Sequence, residues 1–174
     1  MRLPALMHLL QVVEALTQAE AVTVLGSAAL LAEFPRLGEP GGPIALTRDA
    51  DLLVSPCDEQ LAGLVHEAVG EGSLFDQRHG YHADLLRPEI AGTLPNAWPS
   101  RTRLLASKSR ALSAQDVAAV KLRVGREKDL GVVAVLLTSG AVTRDAILAS
   151  LAEISMGEKE MHAVLRRLGA LHAP

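Results

Sequence analysis

The chain is poor in aromatic residues and in cysteine. Aromatic side chains make up 2% of the 174 residues, namely Phe34, Phe75, Tyr81 and Trp98, and Cys57 is the single cysteine. One cysteine excludes an internal disulfide and a zinc site built from several cysteines. The scarcity of aromatics argues against a platform on which successive nucleic-acid bases stack. The hydrophobic residues, 49% of the chain, must therefore form a core mainly of Leu, Val and Ala.

Long apolar runs and basic runs are also missing. No apolar run reaches the roughly 18 residues that a membrane-spanning helix needs, and no signal peptide is recognisable. The formal net charge is −3, whereas a dedicated nonspecific binder of DNA is usually basic. We therefore expect a cytoplasmic protein that uses no membrane and forms no stable complex with duplex DNA.

Hydrophobic periodicity and the positions of Pro and Gly predict an α/β N-terminal part followed by helices. We place an α/β core at 1–110 and a C-terminal helical bundle packed on it at 111–174. The predicted helices cover residues 4–19, 28–34, 58–69, 114–125, 127–138, 144–154 and 158–169. The predicted strands cover residues 21–25, 44–54, 74–75, 81–86 and 103–106, with a loop at 35–43 and an irregular segment at 88–100.

The most distinctive pattern is a pair of aspartates at the front of an apolar strand, in the segment Thr47–Val54. Residues i and i+2 of a strand point to the same face, so Asp49 and Asp51 project together. Two carboxylates at such a distance repel each other, and a divalent cation between them would turn the repulsion into attraction. Mg²⁺ favours one or two carboxylates together with substrate phosphates. The pair therefore suggests metal-dependent phosphate chemistry.

The order of motifs along the chain extends this pattern. A strand ends in Gly26-Ser27 and is followed by a predicted helix, then comes the strand with Asp49 and Asp51, and a later strand carries Asp84. This order resembles the nucleotidyltransferase fold of the DNA polymerase β superfamily. The C-terminal segment Leu112–Asp116, with Lys121 and Gly125–Asp129, is similar to the segment that follows the catalytic core in small bacterial nucleotidyltransferases related to abortive-infection toxins.

The resemblance implies a fold, a cofactor and a set of site residues. The fold is a small mixed sheet flanked by helices and followed by a helical part. The implied catalytic and metal-binding residues are Asp49, Asp51 and Asp84, with Mg²⁺ or Mn²⁺, and the implied nucleotide-binding residues are Gly26, Ser27, Lys121 and Arg126. A glycine lets the backbone approach a triphosphate, and the N-terminus of the following helix offers free N–H groups to phosphate.

Several of these residues also have a purely structural interpretation. Lys121 lies at the edge of an apolar helix stripe, where it either meets a triphosphate or catalytic carboxylate or extends its ammonium group to water. For Arg126, Lys128 and Asp129 a solvated helix start is the favoured interpretation. His79 and His82 have a spacing that could bind metal, but no third ligand is evident, so a structural role is favoured. His82 would nevertheless share the strand face of Asp84, which makes it a candidate pocket residue.

Three functional hypotheses remain open from the sequence. The leading one is a metal-dependent nucleotidyltransferase that moves a nucleoside monophosphate from an NTP to a hydroxyl of a protein or RNA acceptor. A second is the same enzyme acting as the toxin of a toxin–antitoxin pair, with an antitoxin protein as partner. A third is a catalytically idle domain of this fold that binds a nucleotide or a partner.

Overall fold

A five-stranded mixed sheet in the order β3-β2-β1-β5-β4 forms the centre of the computed structural model, which describes residues 1–171. The strands are β1 (Ala21–Val24), β2 (Asp49–Ser55), β3 (His82–Leu85), β4 (Arg103–Leu104) and β5 (Ser109–Ala111). Strand β1 runs antiparallel to β2 and parallel to β5. Strand β2 pairs in parallel with β3, and β4 pairs antiparallel with β5. The protein is therefore an α/β protein with a mixed sheet.

The helices fall into an N-terminal group and a C-terminal group. They are α1 (Leu3–Thr17), α2 (Glu59–Val69), α3 (Leu74–His79), α4 (Trp98–Arg101), α5 (Ala114–Val124), α6 (Glu127–Thr138), α7 (Arg144–Ala152) and α8 (Glu158–Ala170). Short 3₁₀ helices cover Ala28–Ala32, Pro35–Gly38 and Pro88–Thr93. Helix α2 packs against α1 and β3, while α5 packs against α6, α7 and α8. Within residues 1–171, no helix combines the length and the apolar character needed to cross a membrane.

Side-chain caps explain where several of these helices begin. Asp58 accepts a hydrogen bond from the Leu61 N–H at 2.8 Å, and Thr143 accepts one from the Ala146 N–H at 3.2 Å. Ser113 caps α5 in the same way, as its spacing to Asp116 in the sequence predicts. Each cap satisfies a backbone donor that the first turn of a helix leaves without a partner.

One hydrophobic core connects the sheet with the C-terminal helices. Buried side chains alternate along β2, where Ala50, Leu52 and Val54 face inward. They join the same cluster as Leu122 of α5 and Ile147 of α7. The boundary at 110/111 that we drew from the sequence lies within β5, so the polypeptide enters the C-terminal helices directly from an inner strand of the sheet.

The local structure differs from the sequence prediction at several places, four of which bear on the sheet and the site. Leu74–Phe75 is the start of helix α3, which Ser73 caps, and not a strand. The strand predicted from Ile44 begins at Asp49, because residues 44–47 form turns. The segment after Gly26-Ser27 is a five-residue 3₁₀ helix and not an α-helix. Strand β5 was not predicted, because three residues are too short for a recognisable alternation.

Candidate active site

Three aspartates meet on one face of the sheet. In β2, Asp49 and Asp51 lie on the face opposite the buried Ala50 and Leu52. Asp84 of β3 is directly paired with Asp51, because the two strands run parallel in register. Carboxylate oxygens of Asp49, Asp51 and Asp84 all lie within 4.8 Å of one another. The parallel pairing of β2 and β3 therefore turns two separate sequence motifs into one acidic cluster, called here the triad.

The triad concentrates negative charge in a partly buried position. Burial, followed by repulsion from Asp49 and then Asp84, raises the pKa of Asp51 above its ordinary value. The positive charges of Lys121 and Arg126 act in the opposite direction but do not cancel these effects. No Lys or Arg side chain within residues 1–171 forms a salt bridge with a triad carboxylate. The cluster thus has the oxygen donors and the uncompensated charge that suit a hard divalent cation.

Gly26 leaves the space beside the triad open. Gly26 lies two residues after the end of β1 and has a φ of +58°, and the N–H of the intervening Leu25 donates to the Asp51 carbonyl at 2.8 Å. A Cβ at position 26 would lie 3.1 Å from Cγ of Asp51 and closer still to its Oδ2. Position 26 therefore requires glycine both for its left-handed backbone and for the Asp51 carboxylate.

The segment after Gly26 offers less than the sequence prediction assumed. Ser27 starts the 3₁₀ helix Ala28–Ala32, and the Leu30 N–H donates back to the Ser27 carbonyl at 3.2 Å. A 3₁₀ segment this short has a weak dipole compared with a full α-helix. Any contribution of this turn to phosphate binding must come from the Ser27 hydroxyl and single N–H groups.

Two basic side chains face the acidic pair across a cavity. Lys121 of α5 is buried, and its Nζ donates to Asp129 Oδ1 at 2.7 Å. Arg126 is exposed, and its Nε donates to the other oxygen of Asp129 at 2.6 Å. Burial raises the pKa of Asp129, but the hydrogen bonds and positive charges of Arg126 and Lys121 together outweigh it and hold the pKa below its ordinary value. Asp129 thus stays ionised and keeps both cations in place.

The burial of Asp129 corrects the sequence interpretation. We favoured a solvated helix start for Arg126, Lys128 and Asp129, but Asp129 is only 1% exposed. A carboxylate so deeply buried is costly unless it is paired, and here two cations pair with it. The spacing of eight residues between Lys121 and Asp129 across the Gly125 turn is one signal of this pair, but only the packing of α5 against α6 brings the two side chains together.

The cavity between these groups has a volume of about 300 Å³. Its lining includes Gly26, Ser27, Asp49, Asp51, Lys121 and Arg126, which are six of the seven site residues that the resemblance implies. Its apolar lining includes Leu86, Ile90, Val120 and Val124, and no aromatic side chain from residues 1–171 lines it. Ligand-binding pockets in proteins start at about this size. Asp84 does not line the cavity itself, but it lies beside Asp51, which does.

A further group of polar side chains, His82, Asp76 and Arg48, lies next to Asp84. His82 is buried, and its Nδ1 lies 3.3 Å from Asp76 Oδ1, while its Nε2 lies 3.8 Å from Asp84 Oδ1. Asp76 also accepts hydrogen bonds from Arg48 Nη2 at 2.9 Å and from the Gly72 N–H at 3.1 Å. The hydrogen bond from Gly72, together with those from His82 and Arg48, outweighs burial and lowers the pKa of Asp76. His82 therefore does not line the cavity and instead connects the triad to an ionised carboxylate.

Asp76 is a residue that the sequence interpretation missed. The sequence predicts a strand at 74–75, and a strand at that position gives no reason to assign Asp76 to the site. In the structure Asp76 lies in the first turn of α3, and only the packing of this helix beside β3 brings it to His82.

No family model, curated protein or solved structure matches the chain. The class of the protein is thus given by its own architecture, an α/β fold with a five-stranded mixed sheet and eight helices within residues 1–171. The features that bear on its function are the triad, the cavity, and the two basic side chains Lys121 and Arg126.

Proposed function

We propose that the protein is a metal-dependent nucleotidyltransferase with the nucleotidyltransferase fold, which transfers a nucleoside monophosphate from an NTP to a hydroxyl of a protein or RNA acceptor. One observation carries the proposal. The acidic triad lies beside a cavity of about 300 Å³ that two cationic side chains also line, next to a glycine whose missing Cβ leaves room at Asp51.

The residues of the triad fit a divalent cation. Their carboxylate oxygens lie within 4.8 Å of one another, and a cation would relieve the repulsion that raises the pKa of Asp51. Mg²⁺ or Mn²⁺ held by Asp49, Asp51 and Asp84 would supply positive charge to the phosphate oxygens and to the attacking and leaving oxygens.

The basic side of the cavity binds the polyphosphate in this proposal. Lys121 Nζ keeps two further N–H groups after donating to Asp129, and the exposed guanidinium of Arg126 keeps donors beyond Nε. Asp129 orders both side chains before the nucleotide arrives, which reduces the entropy lost on binding. The aliphatic side chains of Leu86, Ile90, Val120 and Val124 offer an apolar wall for the nucleoside.

Asp84 is the residue that would act on the acceptor. In the transfer, the acceptor oxygen forms a bond to the α-phosphorus, the bond from that phosphorus to the bridging oxygen breaks, and pyrophosphate leaves. The hydroxyl proton must go to a base, and the half-exposed carboxylate of Asp84 can accept it. Positioning and charge stabilisation supply most of the rate in phosphoryl-transfer chemistry.

The test is label transfer together with binding. Each α-labelled NTP is incubated with the protein, Mg²⁺ or Mn²⁺ and a cell extract, and labelled protein and RNA are separated. We expect incorporation by the wild type and by Asp145→Asn, an exposed acid on α7 far along the chain. The double variant Asp49→Asn with Asp51→Asn should lose incorporation, and it should also lose the rise in melting temperature that metal and NTP give the wild type.

Asp84→Asn separates an enzyme from a binding module. A base that acts only in the transition state contributes to turnover and not to resting affinity. We expect transfer to fall roughly 10²–10⁴-fold, while calorimetry shows a much smaller loss of NTP affinity because Asp49 and Asp51 still hold a cation at the phosphates. Tight binding by the wild type without transfer to any acceptor would contradict the enzymatic proposal and would favour the catalytically idle module.

A further inference from the structure

The apolar wall of the cavity consists of aliphatic side chains from three parts of the chain, namely Leu86, Ile90, Val120 and Val124. Val120 and Val124 are one turn apart on α5, on the helix face that also carries Lys121. Leu86 follows Asp84 by two positions and so continues the strand face of the triad. None of the four wall residues is buried. Their methyl groups are therefore open to a ligand beside both the basic side chains and the triad.

The backbone N–H groups of this wall are already used within the protein. The Leu86 N–H donates to the Leu52 carbonyl at 2.8 Å, which continues the sheet beyond β3. The Ile90 N–H donates to the Arg87 carbonyl at 3.0 Å. The N–H groups of the two valines donate along α5, as in the interior of any α-helix. These donors hold the fold together and are not offered to a ligand.

The polar side chain of the segment that carries Ile90 is also engaged. Thr93 lines the cavity, and its Oγ1 donates to the Ile90 carbonyl at 2.7 Å. A hydroxyl group has a single hydrogen, so Thr93 has none left for a ligand. The remaining polar side chains of the lining belong to the segments of Gly26, the triad and the basic side, namely Ser27, Thr47, Asp49, Asp51, Lys121, Arg126, Lys128 and Asp129. The apolar wall therefore offers contact area and no side-chain donor.

This chemistry determines which properties of a nucleotide the wall can detect. Adenine and guanine are alike in size, as are cytosine and uracil, and the members of each pair differ in the donors and acceptors on their edges. A site that hydrogen-bonds those edges rejects the wrong ligand strongly, whereas an apolar surface distinguishes ligands mainly by their contact area. Every base has a flat face that an apolar surface can cover. The wall thus suits the face of any base.

We propose that the site accepts all four NTPs and distinguishes them by the size of the base and not by the polar groups on its edge. The inference rests on the proposed function for the presence of a nucleotide in the cavity. Lys121 and Arg126 bind the phosphates, which are the same in all four NTPs, so these charges add affinity without selectivity. The larger purines cover more of the wall and bind more tightly than the pyrimidines.

The test compares nucleotides of equal size. The wild-type protein is titrated by calorimetry with ATP, GTP, CTP and UTP in the presence of Mg²⁺ and without an acceptor. We expect the Kd values of ATP and GTP, and those of CTP and UTP, to differ by less than about tenfold, the selectivity that one well-formed hydrogen bond can supply. A larger ratio within either pair would overturn the inference, because it would show that the base edge is read.

Val124→Ala tests whether the nucleoside lies on the wall. Val124 is 51% exposed, and alanine suits a helix at least as well, so the variant should fold. Loss of two methyl groups from the contact should weaken all four NTPs by about threefold or more, with the ratios within each pair unchanged. Binding of inorganic tripolyphosphate with Mg²⁺ should stay the same, because this probe has no nucleoside.

Leu148→Ala is the matched control. Leu148 is 40% exposed on α7 and does not line the cavity, so its truncation should change the binding of neither NTPs nor tripolyphosphate. If Val124→Ala binds NTPs as tightly as the wild type, or weakens tripolyphosphate to the same degree as the NTPs, the nucleoside does not lie on the wall and the inference is overturned.

The outcomes separate this inference from the proposed function. Strong preference for one base over its equal-sized counterpart would overturn base-independent binding and leave the nucleotidyltransferase proposal intact. Absence of binding of every NTP by the folded wild type, with Mg²⁺ or with Mn²⁺, would overturn both.

Discussion

The Asp51 carboxylate occupies the space that a side chain at Gly26 would need, with Asp51 Cγ 3.1 Å from the position of a Cβ on residue 26. A single methyl group added at position 26 would therefore collide with the Asp51 side chain of β2. Since Gly26 also has a φ of +58°, the backbone and the carboxylate impose the same requirement on this residue.

Gly26→Ala should weaken metal binding by displacing the Asp51 carboxylate. The left-handed backbone alone costs about 1–2 kcal/mol for a residue with a Cβ, so stability will fall as well. Gly140→Ala is the matched control, because Gly140 has a φ of +69° and open space around its Cβ position. We expect Gly26→Ala to lose at least as much stability as Gly140→Ala, and only Gly26→Ala to lose metal affinity, measured by calorimetry; equal affinities would show that Asp51 rotates away without consequence.

Asp51→Asn should stabilise the metal-free protein at neutral pH by about 1 kcal/mol, a usual size for relief of a local conflict. The raised pKa of Asp51 means that the folded state disfavours its ionised form. Its contribution to stability is present below the ordinary pKa of an aspartate, about 3.9, and is lost as the pH rises through the raised folded value. Melting temperatures across this range should therefore show an advantage of Asp51→Asn at neutral pH that disappears in acid. A constant difference at all pH values would contradict the assignment.

Variants of the ion pairs around Asp129 should distinguish a loss of protein stability from a loss of ligand affinity. Lys121 and Asp129 are both buried, so Asp129→Asn leaves an ammonium group without its counter-charge and should destabilise the protein by about 3–5 kcal/mol. Arg126 is 61% exposed as a side chain, so Arg126→Gln should cost at most about 1 kcal/mol but reduce NTP affinity. Urea unfolding and calorimetry on the same preparations measure the two effects. Unchanged NTP affinity in Arg126→Gln would remove it from the binding site.

Glu153 should contribute to stability at neutral pH and cease to do so in acid. Hydrogen bonds from Arg101, followed by the one from the Ala97 N–H, hold the pKa of Glu153 below its ordinary value. Its contribution is thus present above the ordinary pKa of a glutamate, about 4.3, and is lost as the pH falls through the lower folded value. Glu153→Gln should lower the melting temperature at pH 7, and the gap from the wild type should shrink below about pH 4. An equal gap at every pH would contradict this role for the ionised carboxylate of Glu153.

Local patterns predicted much of the secondary structure and the pairing of Asp49 with Asp51 on one face of a strand. The helices α1 and α5–α8 were found within a few residues of the expected bounds, because their apolar spacing and the side-chain caps of α5 and α7 are local signals. The shared face of Asp49 and Asp51 follows from strand geometry alone, and the buried Ala50 and Leu52 confirm it. The metal, the nucleotide and the acceptor stay predictions.

Strand pairing and helix packing determined the remaining contacts of the candidate site. Asp84 joins Asp49 and Asp51 because β2 and β3 pair in parallel register. That register cannot be predicted from the spacing of residues along the chain. Asp76 reaches His82, and Asp129 reaches Lys121, because helices pack side by side. The amino-acid sequence by itself determined which residues could carry charge on each face of an element. Only the tertiary structure decided which of those faces meet, since burial of the common core, and not local preference, sets the distances between them.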